Sequence, residues 1–416
     1  MNTIEIGIIG LGYVGLALAL ELSKKFKVTG YDKDKLRVKN LQKGNDYNEE
    51  HNKKDFKKKK INFTNNKKYL RDCNFYIVCV PTPVTKSNKP DLKLLSNACK
   101  LLGKYINNGD VVVFESTVYP GITENFCVKI LEKTSKIPQS NINTKGFHIG
   151  YSPERVNPSD KAHNLKDIVK IVSSSSEEGL KKIHFVYSKI IKAGLHVAKS
   201  IQIAETAKVI ENVQRDVNIA LINEISIICN KLKISTYDVL EAAFTKWNFL
   251  KFYPGLVGGH CVGVDPYYLI QKSKQLGYLP KLMVTARNVN SSMVSNINKR
   301  VDIKFKNKRI NILFMGATFK EDCSDLRNSL SLDLAKKLSK KHKVILYEPL
   351  IRNKNKIDGL KIIKKLSKIK FDAIIIALAH KNFKKISKLK IKSLTKKNSI
   401  IFDLKNIYND ENFETF

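Results

Sequence analysis

Arginine is scarce in this chain: it supplies nine of the 75 basic residues, the rest being lysines spread along the whole length beside many Asn and Ile. With only 38 acidic residues the formal charge is +37, which alone would suggest a nucleic acid or an anionic membrane as partner. The even spread of lysine, with no aromatic-interleaved basic stripe, argues instead for compositional bias and excludes a nucleic-acid signature. The densest run, Lys53 to Lys60, reads as a solvated surface segment. What survives is a positive field favouring anionic ligands.

The cysteines, at 73, 79, 99, 127, 229, 261 and 323, form no CxxC pair and no Cys/His zinc spacing. A disulfide framework and a metal site are therefore not expected, and a reducing, cytoplasmic setting is. No segment offers the roughly 18 uninterrupted apolar residues that span a bilayer, so no membrane partner is expected. The apolar stretch Ile6 to Leu20 is broken by four glycines and preceded by no basic side chain, which fits a strand, turn and helix better than a leader. At 416 residues and 43% hydrophobic content, the chain has material for two or three folded domains.

The first segment alternates short apolar strands with helical patterns, the mark of a parallel sheet covered by helices. Strands are expected at Ile4–Ile9, Lys27–Tyr31, Phe75–Val80, Val111–Glu115 and His148–Tyr151. The first runs into Gly10-Leu11-Gly12-Tyr13-Val14-Gly15 and then a helix, and the second ends at Asp32. Strand, glycines, helix, second strand and terminal acid in this order predict a dinucleotide site. Gly10 permits the tight turn, Gly12 lets the backbone approach the pyrophosphate, and Gly15 allows close helix packing, with Tyr13 and Val14 at the helix start. Asp32 would accept hydrogen bonds from the adenosine ribose, favouring NAD over NADP, with Arg37 counted beside it among the cofactor residues. The loops Val80-Pro81-Thr82-Pro83 and Glu115-Ser116-Thr117-Val118 follow later strands, where such sheets bind ligands, so Thr82, Ser116 and Thr117 are candidates. Turn chemistry alone would also explain them.

A long helix is expected from Ile201 through Leu232. Lys208, Asn212 and Arg215 share one face of it, extended by Glu205; such a stripe faces either solvent or a pocket. A second α/β segment begins near Asn311, with strands at Ile310–Met315, Lys343–Tyr347, Phe371–Ala377 and Ser399–Phe402. Its first strand leads into Gly316-Ala317-Thr318-Phe319-Lys320, which lacks GxGxxG and suits a nucleotide diphosphate, Lys320 acting as a point charge on phosphate. The expected fold is α/β, two Rossmann-like doubly wound domains joined by a long central helix. The expected domains are 1–199 for NAD, 200–299 helical and dimerising with the cysteine loop, and 300–416 for the nucleotide sugar.

The run Gly258-Gly259-His260-Cys261-Val262-Gly263-Val264-Asp265-Pro266 sets a thiol four residues before a carboxylate in a glycine-rich loop. A packed turn with an inert cysteine is the plainer reading. Hydride chemistry gives the thiol a use. An alcohol oxidised once is an aldehyde; a thiolate converts it to a thiohemiacetal, which can lose a second hydride and leave a thioester for water to cleave. His260 is read as filling the turn.

The chain resembles the UDP-glucose/UDP-N-acetylsugar 6-dehydrogenases over nearly its whole length. The resemblance rests on the glycine motif, Glu115-Ser116-Thr117-Val118, Tyr151-Ser152-Pro153-Glu154-Arg155, Ala207-Lys208-Val209-Ile210-Glu211-Asn212, Gly258-Gly259-His260-Cys261 and Thr318-Phe319-Lys320-Glu321-Asp322. It implies Cys261 as nucleophile, Lys208 stabilising an oxyanion or assisting deprotonation, Asn212 holding that oxygen and Asp265 ordering water. Glu154 and Thr117 would flank the nicotinamide and the hydrolytic water, and Lys208, Asn212, Gly258 and Lys320 would meet the substrate. It also implies a homodimer built on the central helices. Thr245 to Leu250, Pro254 to Cys261 and Asp265 to Leu269 are most similar to enzymes that oxidise UDP-N-acetylhexosamines for capsule or O-antigen polysaccharide biosynthesis. The expected reaction is the four-electron, NAD-dependent oxidation of C6 of UDP-N-acetylglucosamine to the uronic acid. UDP-N-acetylgalactosamine, UDP-N-acetylmannosamine and UDP-glucose are alternatives. Some relatives carry Arg in the Phe-x-Pro-Gly stretch, where this chain has Tyr253. A simple β-hydroxyacid dehydrogenase leaves the third segment and the cysteine loop unexplained, and a catalytically silent nucleotide-sugar binder would have no need of Cys261 and Lys208.

Overall fold

The computed structural model describes the chain apart from residues 1–2, 49, 58–59, 86, 142–143, 157–163 and 352–353. Lys58 and Lys59 of the basic run therefore lie outside the described residues. Two compact units form, Met1–Glu211 with Tyr267–Gly277, and Asn212–Pro266 with Tyr278–Phe416. The helix Ile201–Leu232 contributes its first turns to one and its remainder to the other.

The first unit holds an eight-stranded sheet. Its strands are β1 Glu5–Ile9, β2 Lys27–Tyr31, β3 Ile61–Thr64, β4 Phe75–Val78, β5 Val111–Phe114, β6 His148–Tyr151, β7 Lys170–Ser174 and β8 Leu195–Val197. They lie in the order β3-β2-β1-β4-β5-β6-β7-β8, and every pair is parallel except β6 with β7. Strands such as Phe75-Tyr-Ile-Val and Val111-Val-Val-Phe are buried throughout, as a sheet covered on both faces demands. Because β1 pairs with both β2 and β4, the strand order reverses there, and the carboxyl ends of β1 and β4 open a crevice suited to a ligand. Asp34 caps the helix Lys35–Gln42 and Ser176 caps Glu177–Ser188, so the chain turns where short polar side chains satisfy the first free N–H groups.

The second unit holds a six-stranded sheet of β9 Asn311–Met315, β10 Lys343–Tyr347, β11 Lys356–Ile357, β12 Leu360–Ile363, β13 Phe371–Ile376 and β14 Thr395–Asp403. The order is β11-β12-β10-β9-β13-β14, with only the hairpin β11·β12 antiparallel. Its core joins Ile312, Phe314, Leu334, Leu338 and Ile375 to Met293, Ile297 and Val301 of the helix Lys281–Lys304. The expected architecture of two doubly wound sheets and a long central helix is the one observed. Strands β3, β7, β8, β11 and β12 are additions to the sequence reading.

Candidate active site

The glycine loop of the first unit shows why each glycine is needed. Gly10 has φ +92°, and a Cβ there would meet the Cys79 carbonyl at 2.9 Å. At Gly15 a Cβ would sit 1.9 Å from the Gly10 carbonyl oxygen, so helix and turn can approach only without a side chain. A Cβ on Gly12 would meet nothing within 4 Å, leaving the start of the helix Tyr13–Leu22 open to a ligand. Asp32 Oδ2 accepts the Leu11 N–H at 2.8 Å and its Oδ1 accepts that of Asp34 at 2.9 Å. The acid thus fixes the loop besides standing at the end of β2. Arg37 is 1% exposed; its Nε donates to the Leu11 carbonyl at 2.8 Å and its Nη1 pairs with Asp46 at 2.6 Å. Nη2 is buried with no partner among the described residues.

The loops after β4, β5 and β6 are tied to one another. Thr82 Oγ1 donates to the Thr117 carbonyl at 2.6 Å, and Ser116 Oγ donates to that of Val80 at 2.7 Å. The Tyr268 hydroxyl donates to the Thr82 carbonyl. Glu154 Oε1 accepts the N–H groups of Arg155 and Val156, so its carboxylate stiffens its own turn. Beneath lies a cluster that the sequence reading passed over. Buried Lys170 contacts Glu115 Oε2 at 2.8 Å and the Pro153 carbonyl at 3.2 Å, while the Tyr187 hydroxyl donates to Glu115 Oε1 at 2.5 Å. Burial pushes the Glu115 carboxyl up to about 7, with Glu154 adding to the rise and Lys170 and Tyr187 opposing it.

On the long helix, Lys208 is 8% exposed and has no hydrogen-bond or ion-pair partner among the described residues. Most of the side chain is covered, so the stripe it belongs to is not simply a solvent face, and its ammonium is left available to a ligand. Its neighbour in the stripe, Glu205, has a different task. Its carboxylate is buried and accepts the N–H groups of Gly121 and Thr123 at 2.5 and 2.9 Å. Three residues beyond Lys208, Glu211 pairs with Arg155 at 2.7 Å.

In the second unit the segment Pro254–Val264 has no regular structure and ends at the helix Asp265–Gln275. Cys261 is half-buried, and its carbonyl accepts the N–H groups of Val264 and Asp265 at 2.9 and 2.8 Å, bending the chain into that helix. Asp265 is buried, and its Oδ2 accepts the Asn212 amide at 2.6 Å. The structure thus joins Asn212 to Asp265, fifty-three residues apart in the chain. Gly258 serves close packing: a Cβ there would strike the Asn328 carbonyl at 2.2 Å, and the same carbonyl accepts the Gly259 N–H at 3.0 Å. The His260 ring stands edge-on to Phe319 at 5.4 Å, in keeping with a packing role. Lys320 is half-exposed with its Nζ 5.7 Å from the same ring.

A depression of about 1070 Å³ also opens in the second unit, lined by Asn230, Arg300, Asp410 and Phe413 among others. None of the candidate residues lines it. Several of its charges pair with one another, Arg300 and Lys304 with Glu414, and Lys388 with Asp410. The chemistry is therefore assigned to the residues above and not to this cavity.

Comparison with known proteins bears directly on these elements. The family model of the UDP-glucose/GDP-mannose dehydrogenase NAD binding domain matches residues 4–191, the central domain of that family matches 202–292, and its UDP binding domain matches 313–410. The chain belongs to the UDP-glucose/GDP-mannose dehydrogenase family. As a member it is an NAD-dependent oxidoreductase of nucleotide sugars. It is 43% identical to a UDP-N-acetyl-D-glucosamine 6-dehydrogenase of Salmonella typhi over 97% of this chain and 96% of that one. It is 41% identical to a protein of the same name from Pseudomonas aeruginosa over 99% of both. Among solved structures it is similar to a UDP-D-ManNAc dehydrogenase from Pyrococcus horikoshii, with TM-score 0.87 and 27% identity over 99% of this chain and 98% of that one. The dinucleotide fits the first unit: the open position at Gly12, the tight turn at Gly10 and the acid at the end of β2 are the features it needs. Among the described residues no helix is long and apolar enough to cross a membrane.

Proposed function

We propose that this dehydrogenase oxidises the C6 hydroxyl of a UDP-N-acetylhexosamine, UDP-N-acetylglucosamine foremost, to the uronic acid through a thioester on Cys261. The observation that carries the substrate assignment is full-length identity above 40% to two enzymes named UDP-N-acetyl-D-glucosamine 6-dehydrogenase. Gly10, Gly12, Tyr13, Val14, Gly15, Asp32, Arg37, Thr82, Ser116 and Thr117 would hold NAD, which supplies a hydride acceptor in each of two steps.

The chain's own groups do the rest. Lys208 stabilises the oxygen that loses its proton as the alcohol becomes an aldehyde. The Cys261 thiolate adds to the aldehyde carbon and holds it as a thiohemiacetal, which would become a thioester on loss of its remaining hydride to the bound acceptor. Asp265, oriented by Asn212, takes a proton from the water that cleaves it. Glu154 and Thr117 flank that water, and Lys320 meets the diphosphate. The balance is one alcohol, one water and two NAD giving one carboxylate, two NADH and three protons.

A homodimer in the cytoplasm completes this reading. Ile203, Ile210, Leu221, Ile228 and Leu232 are exposed and recur at spacings of 7, 11, 7 and 4, one stripe along the long helix that a second copy would cover. The substrate assignment is tested by NADH formation with UDP-N-acetylglucosamine, UDP-N-acetylgalactosamine, UDP-N-acetylmannosamine and UDP-glucose. The highest kcat/KM is expected for the first; preference for UDP-glucose would overturn the assignment.

A further inference from the structure

Between the long helix and the helix Lys281–Lys304, the second unit buries a run of polar groups that the reaction described above does not use. Asp216 and Arg287 form an ion pair of 2.5 Å, and both are buried. Asn290 donates through Nδ2 to the Asp216 side chain at 2.7 Å and to its carbonyl at 3.0 Å. Asn223 in turn donates to Asn290 Oδ1 at 2.8 Å.

The two ends of this ladder both reach the segment that carries the thiol. Asn223 grips Gly255 twice, donating to its carbonyl at 3.0 Å and accepting its N–H at 2.8 Å. At the other end Arg287 Nη1 reaches the carbonyl of Val262, the residue after Cys261, at 3.4 Å. A segment without helix or strand is thus held before and after its nucleophile by side chains of two long helices.

We propose that Asp216, Arg287, Asn290 and Asn223 are positioning residues that set the backbone of the Cys261 loop, so that the thiol addresses the aldehyde in the second oxidation. A buried ion pair is a poor source of net stability, because desolvating both charges offsets their attraction and an apolar pair of similar volume is often as stable. What an ion pair with fixed amides supplies is direction, and here the direction is given to two backbone points flanking a reactive atom. The inference rests on the thioester reading of Cys261.

The test is the double variant D216L/R287M, which removes both charges and leaves neither orphaned, together with R287K, which keeps a charge beside Asp216 but lacks the reach of the guanidinium to Val262. Three readouts are taken on the full-length enzyme: thermal unfolding with NAD binding, alkylation of Cys261 by iodoacetamide without substrate, followed by peptide mass, and NADH formed per UDP-N-acetylglucosamine. The expected result is a folded double variant with unchanged NAD affinity, Cys261 alkylated several-fold faster, and acid formation slowed about tenfold, as misplacement of a reacting group predicts. NADH per sugar should fall from two toward one with release of aldehyde, and R287K should lie between. A folded double variant with wild-type alkylation and two NADH per sugar would overturn the proposal. If the double variant does not fold, R287K decides: wild-type alkylation and stoichiometry in it have the same overturning force. Failure of the thioester reading itself is seen separately, as one NADH per sugar in the wild type.

Discussion

The two sheets begin with the same device and put it to different ends. In the first, Gly10 has φ +92° and donates its N–H to the Tyr31 carbonyl; in the second, Gly316 has φ +90° and donates to that of Tyr347. In the first, Asp32 at the end of β2 accepts the Leu11 N–H at 2.8 Å; in the second, Glu348 at the end of β10 accepts the Ala317 N–H at 2.8 Å. Even the second oxygen is matched, on Asp34 N–H at 2.9 Å and Leu350 N–H at 3.1 Å.

What differs is the cover. Asp32 remains partly exposed and the helix starts at once beside the open Gly12. Glu348 is fully buried, with His380 Nε2 at 3.4 Å, and His380 Nδ1 accepts the Asp322 N–H at 2.9 Å. Thr318 is buried as well, and the helix Leu330–Ser339 starts only after a further loop. The first acid is available to a ribose; the second is spent on holding the loop that carries Lys320. Shared topology therefore does not carry shared function; the side chains packed over the acid decide.

The strongest way to break this comparison is to fill the turn. Gly15→Val should abolish folding of the first sheet, because even a Cβ would lie 1.9 Å from the Gly10 carbonyl oxygen; soluble, NAD-binding protein from this variant would refute the close approach. Next in size, Glu348→Ala should cost about 2–4 kcal/mol in urea unfolding by leaving a buried N–H without its acceptor, while NAD affinity in the folded fraction stays unchanged. Asp32→Ala should do the converse, weakening NAD about tenfold to a hundredfold in a binding titration for a smaller loss of stability, since the site loses a charge-assisted acceptor. Equal effects of the two acids on NAD would end the distinction.

The last effect concerns pH. The ordinary value for Glu115 is 4.5 and burial raises it to about 7, so the folded chain holds a proton there that the unfolded chain has released. Its contribution to stability is therefore fully present below pH 4.5 and is lost as the pH rises to about 7. Chemical denaturation from pH 5 to 8 should show that decline in the wild type and a flatter profile in Glu115→Gln.

Much of the first sheet was legible because its strands are continuous apolar runs bounded by glycine and proline, and the long helix because its period persists from Ile201 to Leu232. The missed strands are short or masked by charge: β7 opens with Lys170, a lysine that reads as solvated yet is buried on Glu115. At the site, the glycine roles follow from spacing alone, whereas the hydroxyls of Thr82 and Ser116 give no sign in the sequence that they bond to neighbouring loops. Glu205 looked like part of a polar stripe and proves to hold the turn at Gly121. The pair Asp216 and Arg287 lies seventy-one residues apart, and nothing local distinguishes either from a solvent-facing charge on a helix.

The central claim is that Cys261 makes a second hydride transfer possible, and the stoichiometry of the purified enzyme tests it most directly. With limiting UDP-N-acetylglucosamine and excess NAD, the wild type should yield two NADH and one uronic acid per sugar, and Cys261→Ala should bind NAD normally but form no acid. One NADH with free aldehyde from the wild type, or acid at the normal rate from Cys261→Ala, would contradict it.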